Sequence, residues 1–156
     1  MQQAIAFTKT KMPHGWLGNM AAYPLQYGGK DWRTSEALFQ SLRFKNEAVI
    51  EEIRHAESPM NAKFIAKRNK AQITVAQHGD LDLANMESVL HLKLDQHPEL
   101  KEKLLDTGDA QIIEDCTRRQ GGSGLIWGAA LKEGQWVGEN HLGKLWMKLR
   151  VELRSN

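Results

Sequence analysis

Between Thr34 and Phe44 the chain reads TSEALFQSLRF, and this stretch constrains the fold most tightly. A hydroxyl at Thr34 or Ser35 can accept from the unpaired backbone N–H groups that open a helix. Helical spacing then sets Leu38 and Leu42 on one face, with Phe39 beside them. Such a face must be buried, so the core has to form around this helix. Glu36, Gln40, Arg43 and Glu47 follow at i, i+4, i+7 and i+11 and make a continuous polar stripe. The stripe is open to two readings. It is either a solvated face whose Glu/Arg pair adds roughly a few tenths of a kcal/mol, or the polar lining of a pocket on a core helix.

The flanking sequence supplies the partners for that core. Ala4 to Phe7 reads as a short strand, and Met12 to Asn19 as loop. Leu25 to Trp32 reads as a tight hairpin around Gly28-Gly29, because glycine takes positive φ without steric cost. Asn46 to Ala56 is a second helical piece. Ser58-Pro59 restarts the helix, since Ser58 can cap and proline at the first helical position gives up an N–H that has no partner. The following helix, Met60 to Asn69, carries Lys63, Lys67 and Arg68, with Lys70 just beyond. That face is solvated or steers phosphate.

Leu83, Met86, Leu90 and Leu94 mark an amphipathic helix from Asp80 to Leu94. His97-Pro98 restarts it to about Asp106, with Leu100, Leu104 and Leu105 inward, and Thr107-Gly108 ends it. Ala110 to Ile113 is a short apolar run leading to Glu114. Cys116 to Glu139 holds six glycines and only short apolar pieces, so it reads as a long functional loop. Asn140 is then placed to cap a last helix with an apolar stripe at Leu142, Leu145, Trp146, Leu149 and Leu153.

The 156 residues suit a single domain over 1–156, and a net charge of +2 is too mild to imply nucleic-acid binding by itself. The lone Cys116 fits a reducing compartment. No segment has signal-peptide or membrane-span character, which leads us to expect a cytoplasmic protein without a membrane partner. His91 and His97 have no Cys or second His at ligand spacing, so no metal is expected.

Several pieces then line up in order: GWLGNMAAYP, GKDWRTSEALFQSLRF, SPMNAK, QHPELKEKLLDTGDAQIIE, IWG and ENHLGKLWMKLR. Together they resemble the YbiA-like, or NADAR, family from about Gly15 to Leu153. The resemblance implies a mainly α fold (an α-rich α+β fold), compact and with a few short strands near the N-terminus. It also implies hydrolysis of an N-glycosidic bond. Family members cleave phosphoribosylamino-pyrimidine intermediates of riboflavin biosynthesis, or remove ADP-ribose from guanine in nucleic acid. The expected partner is therefore a phosphorylated nucleotide-like or ADP-ribosylated substrate, with modified nucleic acid as one form of it.

Positions carried over from the family are Asn19, Glu36, Gln40, Glu114, Trp127, Gly128, Asn140, Gly143 and Arg150. Two positions depart from its pattern. Arg43 stands where the family usually has lysine, for which a Schiff-base role has been proposed. A guanidinium stays protonated and cannot act so, but it can hold phosphate or carboxylate. Gly124 stands where an aspartate often precedes WG, leaving Asp115, Glu133 or Glu139 to replace it.

Cleaving a ribosidic C–N bond passes through an oxocarbenium-like state, which a carboxylate near the sugar stabilises. Glu36 is the candidate carboxylate. Glu114 is either a second carboxylate or an organiser of the glycine-rich loop. Trp127 is placed to stack on the base, and Arg43 with Lys63 or Lys67 to hold phosphate. Asn19, Gln40, Gly128, Asn140 and Arg150 complete the expected contacts, and no cofactor is needed. The rival reading is a module that binds ADP-ribose or a nucleotide without cleaving it.

Overall fold

The computed structural model describes residues 4–156. In chain order the elements are β1 (Ile5–Phe7), β2 (Leu25–Tyr27), β3 (Lys30–Trp32), α1 (Ser35–Ser41), α2 (Glu47–Arg54), α3 (Pro59–Arg68) and α4 (Asp80–Gln96). They continue with α5 (Glu99–Asp106), β4 (Ile112–Glu114), α6 (Gly124–Trp127), β5 (Ala130–Lys132), β6 (Gln135–Val137) and α7 (His141–Arg154). These elements form two compact units. One is residues 19–96; the other joins the N-terminal residues through 18 to residues 97–156.

In the unit of residues 19–96, α1 is the central element. Thr34 caps it, its hydroxyl accepting from the Ala37 N–H at 3.1 Å, and every residue from Ser35 to Ser41 is buried. It packs against α2, α3, α4 and β3. Asn46 and Ser58 cap α2 and α3 through their side chains, with Pro59 at the start of α3 as its chemistry favours. The core of this unit includes Leu38, Phe39, Val49, Ile53, Met86, Val89 and Leu90, while α3 contributes only Ala62 and Ala66. Small residues at that face let α3 lie close to its neighbours. The β2–β3 hairpin turns at Gly28 and Gly29, which have φ of 61° and 75°.

In the other unit β1 pairs parallel with β4, in the register Ile5↔Ile112 to Phe7↔Glu114. α7 packs on β4, α5 and α6, burying Leu142, Trp146 and Leu149. Trp146 donates from Nε1 to the Leu17 carbonyl at 2.9 Å, and its ring meets Trp16 edge-on with centroids 5.9 Å apart. The aromatic pair thus fixes α7 by packing and by a satisfied polar edge.

Three sequence expectations need correction. The stretch from Cys116 to Glu139 is not one long loop. It folds into α6 and the β5–β6 hairpin, whose tip is Glu133 and Gly134 with φ of 50° and 78°. Glycine content signalled tight turns there, not irregularity. Leu105, expected inward, is 39% exposed, because α5 presents only Leu100 and Leu104 to the core. Glu47 leaves the α1 stripe because α1 ends before it, and it lies exposed in the first turn of α2.

Two charged side chains of α4, Asp82 and Lys93, are fully buried. The Lys93 ammonium lies 5.2 Å from the centre of the Tyr23 ring, yet burial pushes its pKa down from 10.5 to about 7. Between those values the unfolded chain holds a proton that the folded chain has lost. Stability should therefore rise from about pH 7 towards pH 10, and the cost of the buried charge is fully present below pH 7. Lys93→Met should stabilise the protein at pH 6 by an amount on the order of 1–3 kcal/mol and flatten this rise. Urea unfolding across the range is the measurement. A parent protein whose stability is flat or falls over it would mean the charge is matched inside the fold.

Candidate active site

The polar stripe on α1 is buried, which settles its two readings against a solvated face: Glu36, Gln40 and Arg43 are 8%, 5% and 6% exposed. They form one connected line. Arg43 donates from Nε and Nη2 to the two oxygens of Asp82, at 2.9 and 2.7 Å. Its Nη1 donates to Gln40 Oε1 at 3.3 Å, and Gln40 Nε2 donates to Glu36 Oε1 at 3.0 Å. A guanidinium can only donate, so it fixes the Gln40 amide with oxygen inward and leaves its NH₂ for Glu36. Asp82 Oδ2 also accepts from the His78 backbone N–H at 2.9 Å, and the Arg43 guanidinium stacks 4.7 Å from the centre of Phe39. Of the two groups Arg43 is expected to hold, phosphate or carboxylate, its fork holds the carboxylate of Asp82 in this structure.

Asn19 joins the same group. Its backbone carbonyl accepts from the Glu36 N–H at 3.0 Å, and its Nδ2 donates to Met86 Sδ at 3.1 Å. Its Oδ1 and the Ser35 hydroxyl are buried without a partner in the protein. A buried unsatisfied polar atom costs about 1–3 kcal/mol, so these two, one on the residue before Glu36 and one on a residue bonded to its backbone, suit a polar ligand. Lys63 and Lys67 are exposed on α3.

Glu114, Gly128, Asn140 and Gly143 interlock in the other unit. Asn140 Oδ1 accepts from the Glu114 N–H at 3.1 Å, and Asn140 Nδ2 donates to the Ile112 carbonyl at 2.9 Å. The side chain expected to cap α7 therefore makes no capping bond and clamps the end of β4 instead; Asn140 takes φ 52°, which asparagine tolerates better than most residues. The clamp requires glycine nearby. A Cβ on Gly143 would lie 2.1 Å from the Ile112 carbonyl oxygen, and one on Gly128 2.3 Å from that of Glu114.

Trp127 and Arg150 are as enclosed as Glu36. Trp127 is 8% exposed and meets His141 edge-on, ring centres 6.3 Å apart. Arg150 donates to Thr107 Oγ1 at 2.8 Å, tying α7 to the end of α5, and burial pushes its pKa down. Gly124 cannot be the missing aspartate in this backbone, because a Cβ there would lie 2.3 Å from the Arg119 carbonyl oxygen. Asp115 accepts from Thr117 N–H and hydroxyl, Glu133 sits at the hairpin tip, and Glu139 is exposed beside His141.

Asp82 and Lys93 escaped the sequence reading. The signal was present: Asp82, Met86, Val89 and Lys93 repeat at i, i+4, i+7 and i+11, a second stripe of α4, and all four are buried.

Known proteins share this architecture and sequence. The NADAR domain model matches residues 6–154. N-glycosidase YbiA of Shigella boydii is 35% identical over 149 residues, which are 96% of this chain and 88% of that one. N-glycosidase Npun_R5314 of Nostoc punctiforme is 28% identical over 157 residues, covering 97% and 93% of the two chains. The NMR structure of the E. coli protein YbiA aligns with a TM-score of 0.80 at 32% identity, over 99% of this chain and 88% of that one. The α-rich α+β fold is thus the fold of that structure, and the chain belongs to the NADAR domain family, among the hydrolases that act on N-glycosyl bonds.

Proposed function

We propose that the protein hydrolyses the C–N bond between a ribose phosphate or ADP-ribose moiety and a nitrogenous base, with Glu36 as the catalytic carboxylate. The observation that carries this reading is the fixed, nearly buried Glu36, with one oxygen held through Gln40 and Arg43 by Asp82. As the C–N bond breaks, its electron pair leaves with the base nitrogen and positive charge develops on the sugar. A carboxylate in a water-poor setting stabilises that charge more strongly than one in bulk solvent. It also orients the water whose oxygen bonds to the anomeric carbon, and it accepts that water's proton, while the departing base is protonated or hydrogen-bonded.

The partnerless Oδ1 of Asn19 is suited to accept from a sugar hydroxyl. Arg43 and Asp82 act as positioning residues. Glu114 keeps two roles, carboxylate or organiser. Glu114→Gln separates them, because the Asn140 clamp holds the backbone of Glu114 and survives the change. The substrate classes implied by the family resemblance are ADP-ribosylated guanine and phosphoribosylamino-pyrimidines of riboflavin biosynthesis.

Incubation with each substrate class, followed by detection of free base and sugar phosphate, tests the activity. A rise in melting temperature with no product released would make the chain a binding module instead. Glu36→Gln should lower kcat by about 10²–10⁴-fold with little change in KM, since the lost charge matters chiefly in the transition state. Unchanged turnover would remove Glu36 from the chemistry.

Arg43→Lys should lower kcat more than KM, because an ammonium cannot fork across Asp82 and also orient Gln40. Asp82→Asn should lose about 3–5 kcal/mol of stability in urea unfolding, by leaving the guanidinium buried without its counter-charge. Borohydride added during turnover should trap no adduct at Arg43. A rate for Arg43→Lys above that of the parent would mean that lysine chemistry, not positioning, belongs at this place.

A further inference from the structure

From Ser58 to Gly79 the chain has no Asp or Glu, yet it carries Lys63, Lys67, Arg68 and Lys70. Arg68 is paired with Glu52, whereas Lys63, Lys67 and Lys70 are exposed and make no ion pair among the described residues. Phe64 stands among them at 59% exposure, more than Tyr27 at 46%, with Met60 one turn away at 41%. The inner face of α3 is already used, with Ala62 and Ala66 buried. Its outer face therefore combines an aromatic platform with unpaired positive charge.

We propose that this outer face of α3 docks single-stranded nucleic acid, one base stacking on Phe64 and the backbone phosphates following Lys63, Lys67 and, just past the helix end, Lys70. Charge complementarity selects a polyanion. The exposed aromatic selects one with free ring faces, which a single strand offers and a closed duplex does not. Lys63 and Lys67 are about 6 Å apart along the helix axis, so they meet different phosphates of an extended strand. An anionic membrane surface suits the face less well. An interfacial helix needs a broad apolar side, and here only Met60 and Phe64 are exposed and apolar. This surface goes beyond the hydrolytic reading and does not require it.

Fluorescence anisotropy with a labelled, unmodified single strand of about 12 nucleotides tests the proposal, run on the full chain and on Glu36→Gln. Three phosphate contacts predict a log–log salt slope of about −2. Phe64→Ala should weaken binding about tenfold, and joint replacement of Lys63, Lys67 and Lys70 by Gln should bring the slope near zero. All four positions are exposed, and an unchanged urea midpoint confirms that the variants fold. Equal binding by Glu36→Gln keeps the result independent of catalysis. Absence of strand binding would overturn the proposal. So would binding indifferent to Phe64, equal preference for heparin, or capture of phosphatidylserine vesicles in place of the strand.

Discussion

Arg43 and Asp82 meet where hydration is lost on both sides, the two side chains being 8% and 0% exposed. Desolvating an ion pair costs several kcal/mol per charge, so such a pair adds little net stability over apolar packing. What it adds is geometry. Two parallel N–H···O bonds fix the guanidinium plane, and the third donor then decides which way Gln40 points. Gln40 in turn holds one oxygen of Glu36. The carboxylate at the end of this line owes its orientation to a charge on a different helix, which is why α1 and α4 have to pack together before the site exists.

The second unit fixes the end of β4 with a neutral side chain. One asparagine spans the end of β4, giving to the Ile112 carbonyl and receiving from the Glu114 N–H. Two glycines leave the space this needs, one inside α7 and one following α6. A glycine inside a helix costs roughly 1 kcal/mol relative to alanine, and here that cost is offset by a contact no other residue permits. Gly128, Asn140 and Gly143 are thus explained by the approach of one backbone segment to another.

The sequence revealed the elements that local chemistry decides. Ser58-Pro59 starts α3, Gly28-Gly29 turns the first hairpin, and Thr34 caps α1. It did not reveal where a polar side chain points when two uses compete. Asn140 precedes a helix, so a capping bond was the obvious reading. Its left-handed backbone turns the side chain towards β4 instead, and no local pattern encodes that strand's position. The α1 stripe was ambiguous for a related reason. Glu36, Gln40 and Arg43 look alike on a solvated or a buried face until Asp82, thirty-nine positions beyond Arg43, is known to lie opposite. Family resemblance selects Glu36 and Gln40 but not the contacts that hold them.

Arg43 and Lys93 show why arginine and lysine are not interchangeable in this core. Both are buried in the unit of residues 19–96, Arg43 just beyond α1 and Lys93 on the α4 face that also carries Asp82. A guanidinium keeps its proton at any ordinary pH, so burying it demands a counter-charge, and Asp82 supplies one in two-pronged form. An amine has another course, since losing its proton removes most of the desolvation cost, and Lys93 is held near the point where it does so. Exchanging the two would place a permanent charge at position 93 and leave a single-pronged cation at position 43. The arginine in FQSLRF is therefore better understood through the carboxylate it faces than as a lysine that has lost its chemistry.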